Sequence, residues 1–152
     1  MTAQVRQASF ADLQELAELR RELWPDLVPE EDAEELRATL AGEPITTLPL
    51  VIFVAESDNA LVGFIEVDLR SHADGCDPRI PVGFIEGWFV RESHRRKGVG
   101  AMMVNAAEDW ARSKGCTEMA SDTWIDSKAS QRAHEALGFE VVDRCVHFRK
   151  PL

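Results

Sequence analysis

The chain has 152 residues, 45% hydrophobic and 29% charged, with a net charge of −10. That length suits one domain, residues 1–152, and the composition is globular. The acidic balance excludes nucleic acid and anionic membranes as expected partners, because both need basic surface, and favours a cationic one. The longest strongly apolar run is Leu50 to Ala55, against the roughly 20 residues of a membrane helix. Met1 to Arg6 lacks the apolar stretch of a signal peptide. Cys76, Cys116 and Cys145 are odd in number and far apart, with no C-x-x-C pair. Neither a disulfide framework nor a zinc site is indicated. A cytoplasmic protein without a metal is expected. There is no Tyr, so no phenol is available as a catalytic acid.

In chain order, Gln4 to Ala8 reads as a short strand. Ser9 then starts a helix, with Asp12 three residues on as a variant capping box. Leu13, Leu16, Arg20 and Leu23 mark one side of it, and Pro25 ends it. A second helix is predicted over Glu30 to Ala41. Val51 to Ala55 reads as a buried strand, Ser57-Asp58-Asn59 as a turn, and Leu61 to Leu69 as the returning strand of a hairpin. A loop from Ser71 to Pro81 leads to a strand over Val82 to Val90.

Gly98 to Lys114 carries apolar residues near helical spacing and is capped by Gly115. Thr117 to Thr123 reads as a strand, Ser127 to Leu137 as a helix, and Phe139 to Arg149 as one or two terminal strands. The early hairpin implies antiparallel pairing, and the later strand–helix alternation implies parallel pairing. A mixed α/β sheet covered by helices is expected.

One local motif carries chemistry. After the strand ending at Val90 comes Arg95-Arg96-Lys97-Gly98-Val99-Gly100, opening a helix. Glycines let a ligand approach the backbone, and the first helical turn offers unpaired N–H groups and a positive dipole end. Beside three cations this makes an anion cradle suited to phosphate. It is not a Walker A loop, which ends in Gly-Lys-Ser/Thr, and Met103 breaks the dinucleotide G-x-G-x-x-G pattern.

The spacing Arg95-x-x-Gly98-x-Gly100 resembles the acetyl-CoA signature of the GCN5-related N-acetyltransferases (GNAT). An ordered set resembles more closely the aminoglycoside 6'-N-acetyltransferase branch: Arg20-x-x-Leu23-Trp24-Pro25, Asp74-Gly75-Cys76-Asp77, Glu86-Gly87, Met119 to Thr123, Ser130-Gln131 and Phe148-Arg149-Lys150. The resemblance implies the GNAT fold, with a mostly antiparallel central sheet, splayed parallel strands and flanking helices. It implies acetyl-CoA as co-substrate, a cationic aminoglycoside as acceptor, and a homodimer.

Residue by residue, the resemblance implies that the turn from Arg95 and Arg96 through Lys97, Gly98, Val99 and Gly100 to Ala101 holds the pyrophosphate. Trp88, Phe89 and Val90 would pair with the pantetheine arm, with the Val90 N–H as oxyanion donor. Glu86 is implied as general base through a water, against the alternative of a structural carboxylate. Asp122 is implied at the end of the next strand, binding ammonium and sharing in proton removal. Trp24 would wall the sugar site, unless it is a core residue. Asp126 could add charge or cap the following helix. Asp143 matches an acid that approaches the acceptor site. His134 stands where many of the superfamily carry a Tyr as general acid, and a structural role is the alternative. His72 replaces a Tyr that can line the sugar site.

Charge is distributed to match. Asp26 to Glu43 holds seven acids and one Arg, and Arg91 to Lys97 holds four cations and one Glu. Two other readings stay open: the same chemistry on another amine (a polyamine, a protein N-terminus or a lysine), and a non-catalytic acetyl-CoA-binding module.

Overall fold

A computed structural model describes residues 2–44 and 46–152; Met1 and Ile45 lie outside the described residues. Five strands form one sheet in sequential order: β1 (Gln4–Gln7), β2 (Leu50–Ser57), β3 (Ala60–Arg70), β4 (Val82–Val90) and β5 (Met119–Ser121). β1 through β4 pair antiparallel, and β5 pairs parallel to β4. Among the described residues four α-helices flank the sheet: α1 (Leu13–Leu23), α2 (Pro29–Leu40), α3 (Val99–Ser113) and α4 (Lys128–Ala136). The mixed, mostly antiparallel sheet matches the sequence expectation. No helix among the described residues is long and apolar enough to cross a membrane.

The local rules behind these elements are visible. Asp58 and Asn59 both take positive φ, 52° and 63°, as a two-residue hairpin turn requires. Ser9 and Asp12 form the reciprocal capping box, across a short 3-10 turn at Phe10–Asp12 that precedes α1. Asp12 also receives two bonds from Arg6, at 2.8 and 2.9 Å. That guanidinium holds the Asp12 carboxyl below the usual carboxylate range.

Alternate residues of the central strands serve two cores. Ile65 and Val67 of β3 and Ile85 of β4 pack with Val99, Met103, Val104 and Ala107 of α3 on one face. Phe64, Ile52 and Val54 pack with Leu16, Leu19 and Leu36 of α1 and α2 on the other. Central strands covered on both faces read as long apolar runs. The polar exceptions on β3, namely Glu66, Asp68 and Arg70, therefore stand out.

Two features of the sheet position a site. β5 stops at Ser121, opposite Ile85, whereas β4 runs on to Val90. The parallel pair is open beyond that point. The β3–β4 register also shifts between Glu66, paired with Gly87, and Val67, paired with Ile85. Glu86 is the extra residue of this bulge, a device that re-aims a side chain.

The expected terminal strands over Phe139 to Arg149 do not form. The Phe139 N–H still bonds back to His134, but residues 140–152 carry no strand assignment and are exposed. A strand needs a ladder partner, and β5 has only three residues. Val142 touches the loop at Gly75, whereas Val146 and Phe148 are 76% and 92% exposed.

Candidate active site

The phosphate-binding turn is built from strained and permissive backbone. Arg96 has φ 60° and Gly98 has φ 80°, and Gly98 is the N-cap of α3. No acid stands in the first turn of that helix, so its free N–H groups and dipole face an anion unopposed. A side chain at Gly100 would press on the Trp88 indole, 3.1 Å away. Arg96, Lys97 and Gly98 are exposed. The cradle fits a pyrophosphate in shape, charge and donor type.

The opening beside it offers a backbone edge. Arg91 donates its N–H to the Val62 carbonyl at 2.8 Å. Antiparallel strands alternate their bonding edge, so Trp88 and Val90 turn their N–H and C=O groups away from β3, toward the gap left by β5. Arg95 holds the rim: its Nε donates to the Val90 carbonyl at 2.7 Å, and its guanidinium lies over the Phe89 ring. The Val90 N–H points into the opening.

On the α1–α2 face lies a cleft of about 690 Å³. Trp24, Leu27, Trp124 and five carboxyl side chains line it: Asp26, Glu35, Glu66, Asp68 and Glu86, against one guanidinium, Arg20. Trp24 packs against the backbone at Gly87, where a Cβ would fall 2.5 Å from the indole. It meets Phe64 edge-on at 5.8 Å.

The floor is a buried ion network. Arg20 Nε donates to Asp32 Oδ1 at 2.9 Å, and Nη1 donates to Glu66 Oε2 at 2.5 Å. Burial pushes the Glu66 carboxyl up, against the pull of Arg20. Glu86 accepts from Arg70 at both oxygens, Oε1 at 2.6 Å and Oε2 at 3.0 Å. Arg70 in turn stacks 3.5 Å above Phe84.

Trp24 and Glu86 thus share one cleft. Asp122 directly follows the last residue of β5, as Glu86 follows its partner Ile85; it and Asp126 are exposed beyond the end of that strand. The N-cap of α4 is Ser127, not Asp126. His72 is exposed in the loop after β3, and Asp143 is exposed on the unpaired tail. The structure brings neither to the cleft within one chain.

His134 is held on three sides. Its Nδ1 donates to the Ser130 carbonyl at 2.7 Å, which leaves Nε2 to accept from Ser121 Oγ at 2.8 Å in the neutral ring. Trp88 and Phe139 meet it edge-on. Sequence reasoning missed Asp68, Arg70 and Trp124. The first two carried a signal: Glu66-x-Asp68-x-Arg70 places three charges on one face of an otherwise apolar strand.

An anion cradle after splayed strands, with an acid-lined cleft on the other face of the same sheet, defines an acyltransferase of the GNAT class. The chain belongs to the acetyltransferase (GNAT) family, whose model matches residues 13–139. It is similar to the aminoglycoside N(6')-acetyltransferase type 1 of Klebsiella aerogenes, with 43% identity over 97% of this chain and 96% of that one. The enzyme of the same name from Stenotrophomonas maltophilia is 39% identical over 97% and 93%. Among solved structures, AAC(6')-Iy in complex with the bisubstrate analogue CoA-S-monomethyl-acetylneamine superposes with a TM-score of 0.86. It is 35% identical, with all of both chains covered.

Proposed function

We propose that the protein is an aminoglycoside 6'-N-acetyltransferase that confers antibiotic resistance by direct attack of the 6'-amine in a ternary complex. One observation carries this reading: a carboxylate-lined cleft with an aromatic wall includes Glu86 of β4, the strand whose free edge at Trp88 and Val90 leads into the anion cradle. Relatives of that activity, alike over nearly their whole length, support it.

In this mechanism acetyl-CoA supplies the acyl group as a thioester when bound. The turn from Arg95 to Ala101 holds its pyrophosphate, and the Trp88–Val90 edge aligns its arm. The Val90 N–H donates to the thioester oxygen as charge develops there, which is where a preorganised donor contributes most. Trp24 positions a sugar ring, while the cleft's carboxylates draw in the polycation. Glu86 takes the amine's proton, and Asp122 binds a further ammonium at the strand end. The departing CoA thiolate takes its proton through the Ser121 hydroxyl, which His134 Nε2 meets at 2.8 Å, and water replenishes that pair. A covalent cysteine route is not needed, since burial pushes the Cys76 and Cys116 thiols up, away from thiolate.

We place the enzyme in the cytoplasm, as a homodimer. The exposed Val146 and Phe148 on an unpaired tail support a second copy there, and such a copy offers the route by which Asp143 approaches an acceptor site. Sedimentation of the full chain at the mass of a dimer supports this; a monomer at micromolar concentration overturns it. The function is tested by incubating the protein with acetyl-CoA and a 6'-amino aminoglycoside. A single acetyl group on the 6'-nitrogen, located by NMR, is expected; acetylation at another amine overturns the regiochemistry.

A further inference from the structure

Asp68 Oδ1 is closed off from solvent, and no donor reaches it among the described residues. Asp68 on β3 and Glu86 on the adjacent β4 line the same cleft, and Arg70, two residues along from Asp68, grips Glu86 at both oxygens. Two ionised carboxylates have no proton to share and repel each other. One proton between them makes one carboxyl the donor and the other the acceptor, and a buried polar atom without a partner asks for such an explanation.

We propose that Asp68 and Glu86 form a proton-sharing carboxyl pair that receives the proton of the acceptor's ammonium group. The inference rests on the acceptor reading above and adds Asp68 as a positioning residue that acts through Glu86. In the step, the pair starts with both carboxyls ionised, above its midpoint: an N–H bond of the ammonium breaks and its electron pair stays on nitrogen. An O–H bond forms, its proton is shared between Asp68 and Glu86, and that proton passes to water after the product leaves.

The surroundings suit that role. Burial, then the adjacent Glu86, push the Asp68 carboxyl up to about 7. From β3, Glu66 adds to this push and Arg70 opposes it. From α1 and α2, Arg20 and Asp32 are occupied with Glu66 in the buried network. Glu35 of α2 and Asp26 of the loop after α1 line the same cleft and add negative charge. A lone exposed carboxylate, which titrates near 4, is a poor base for an ammonium group; a pair that holds its last proton near neutrality is a competent one.

Two measurements test the pair. The first is carbon-13 NMR of the Asp68 carboxyl in the full chain, with no acceptor present. A midpoint near 7 that falls by at least about one pH unit in Glu86→Gln is expected; a midpoint near 4 in the unsubstituted chain overturns the pair. The second is the pH profile of kcat/KM. The unsubstituted enzyme should lose rate as pH falls through about 7, and Asp68→Asn should move that limb lower by at least about one unit while lowering the plateau about 10-fold. An unmoved limb overturns the role of Asp68. Lack of turnover with any aminoglycoside counts against the acceptor reading, while the NMR midpoint decides the pair on its own.

Discussion

The wall of the acceptor cleft depends on a missing side chain. Replacing Gly87 with Ala puts a methyl group 2.5 Å and 2.7 Å from two indole carbons of Trp24. Ordinary carbon contacts need about 3.5–4.0 Å, so the indole must move by about 1 Å. The move strains its edge contact with Phe64 and the Arg20 guanidinium 5.1 Å over its ring. Overpacking of this kind costs about 1–3 kcal/mol. At about 2 kcal/mol, a chain of this size should lose about 5 °C in Tm. The displaced wall should also weaken acceptor binding by about 1 kcal/mol, a rise of about fivefold in KM. Acetyl-CoA affinity should stay within about twofold, because α3 packs on the opposite face of the sheet. Calorimetry and steady-state kinetics read all three. In a Trp24→Ala background the Gly87→Ala penalty should largely vanish. Fully additive effects would refute the contact.

Further outcomes follow from the same geometry. Glu86→Gln should cut kcat by about 10²–10⁴ and leave acetyl-CoA affinity unchanged by titration calorimetry. Glu66→Ala strands the buried Arg20 with one partner and should cost about 3–5 kcal/mol in urea unfolding. Asp12→Asn removes a carboxylate held below its usual range by Arg6, with burial opposing and the Ser9 N–H bond assisting. Such a group stabilises the fold above the unfolded value near 4 and loses that contribution as pH falls through its folded value. The variant should therefore be less stable at pH 7, with the difference shrinking in acid. Asp68 has the opposite sign. Its raised carboxyl lets the folded chain hold a proton that the unfolded chain releases between about 4 and 7. Stability should fall as pH rises through that window, and Asp68→Asn should flatten the fall.

The anion cradle was legible in the sequence because backbone chemistry is local. Gly98 at a left-handed position and the cations beside it need no tertiary knowledge. The hairpin was legible for the same reason, since Asp58 and Asn59 tolerate the turn's positive φ. The acceptor side was less so. Glu86 was marked only by the resemblance, and its neighbours depend on a bulge that local pattern does not mark. Arg70 grips it and Asp68 lines the same cleft, on strands whose register shifts there. Gly87 looked like one more strand residue, and only packing reveals Trp24 lying across it. The terminal strand failed for a different reason. Apolar residues at Val141, Val142, Val146 and Phe148 read as strand, yet the chain itself provides no edge long enough to pair with them.

The central claim is tested most directly by thiol release from acetyl-CoA with two matched aminoglycosides, one carrying a 6'-amine and the other a 6'-hydroxyl. Release with the amine alone is the predicted result. Equal release with both, or release with neither despite measurable acetyl-CoA binding, would contradict the assignment of the acid-lined cleft to a 6'-amino acceptor.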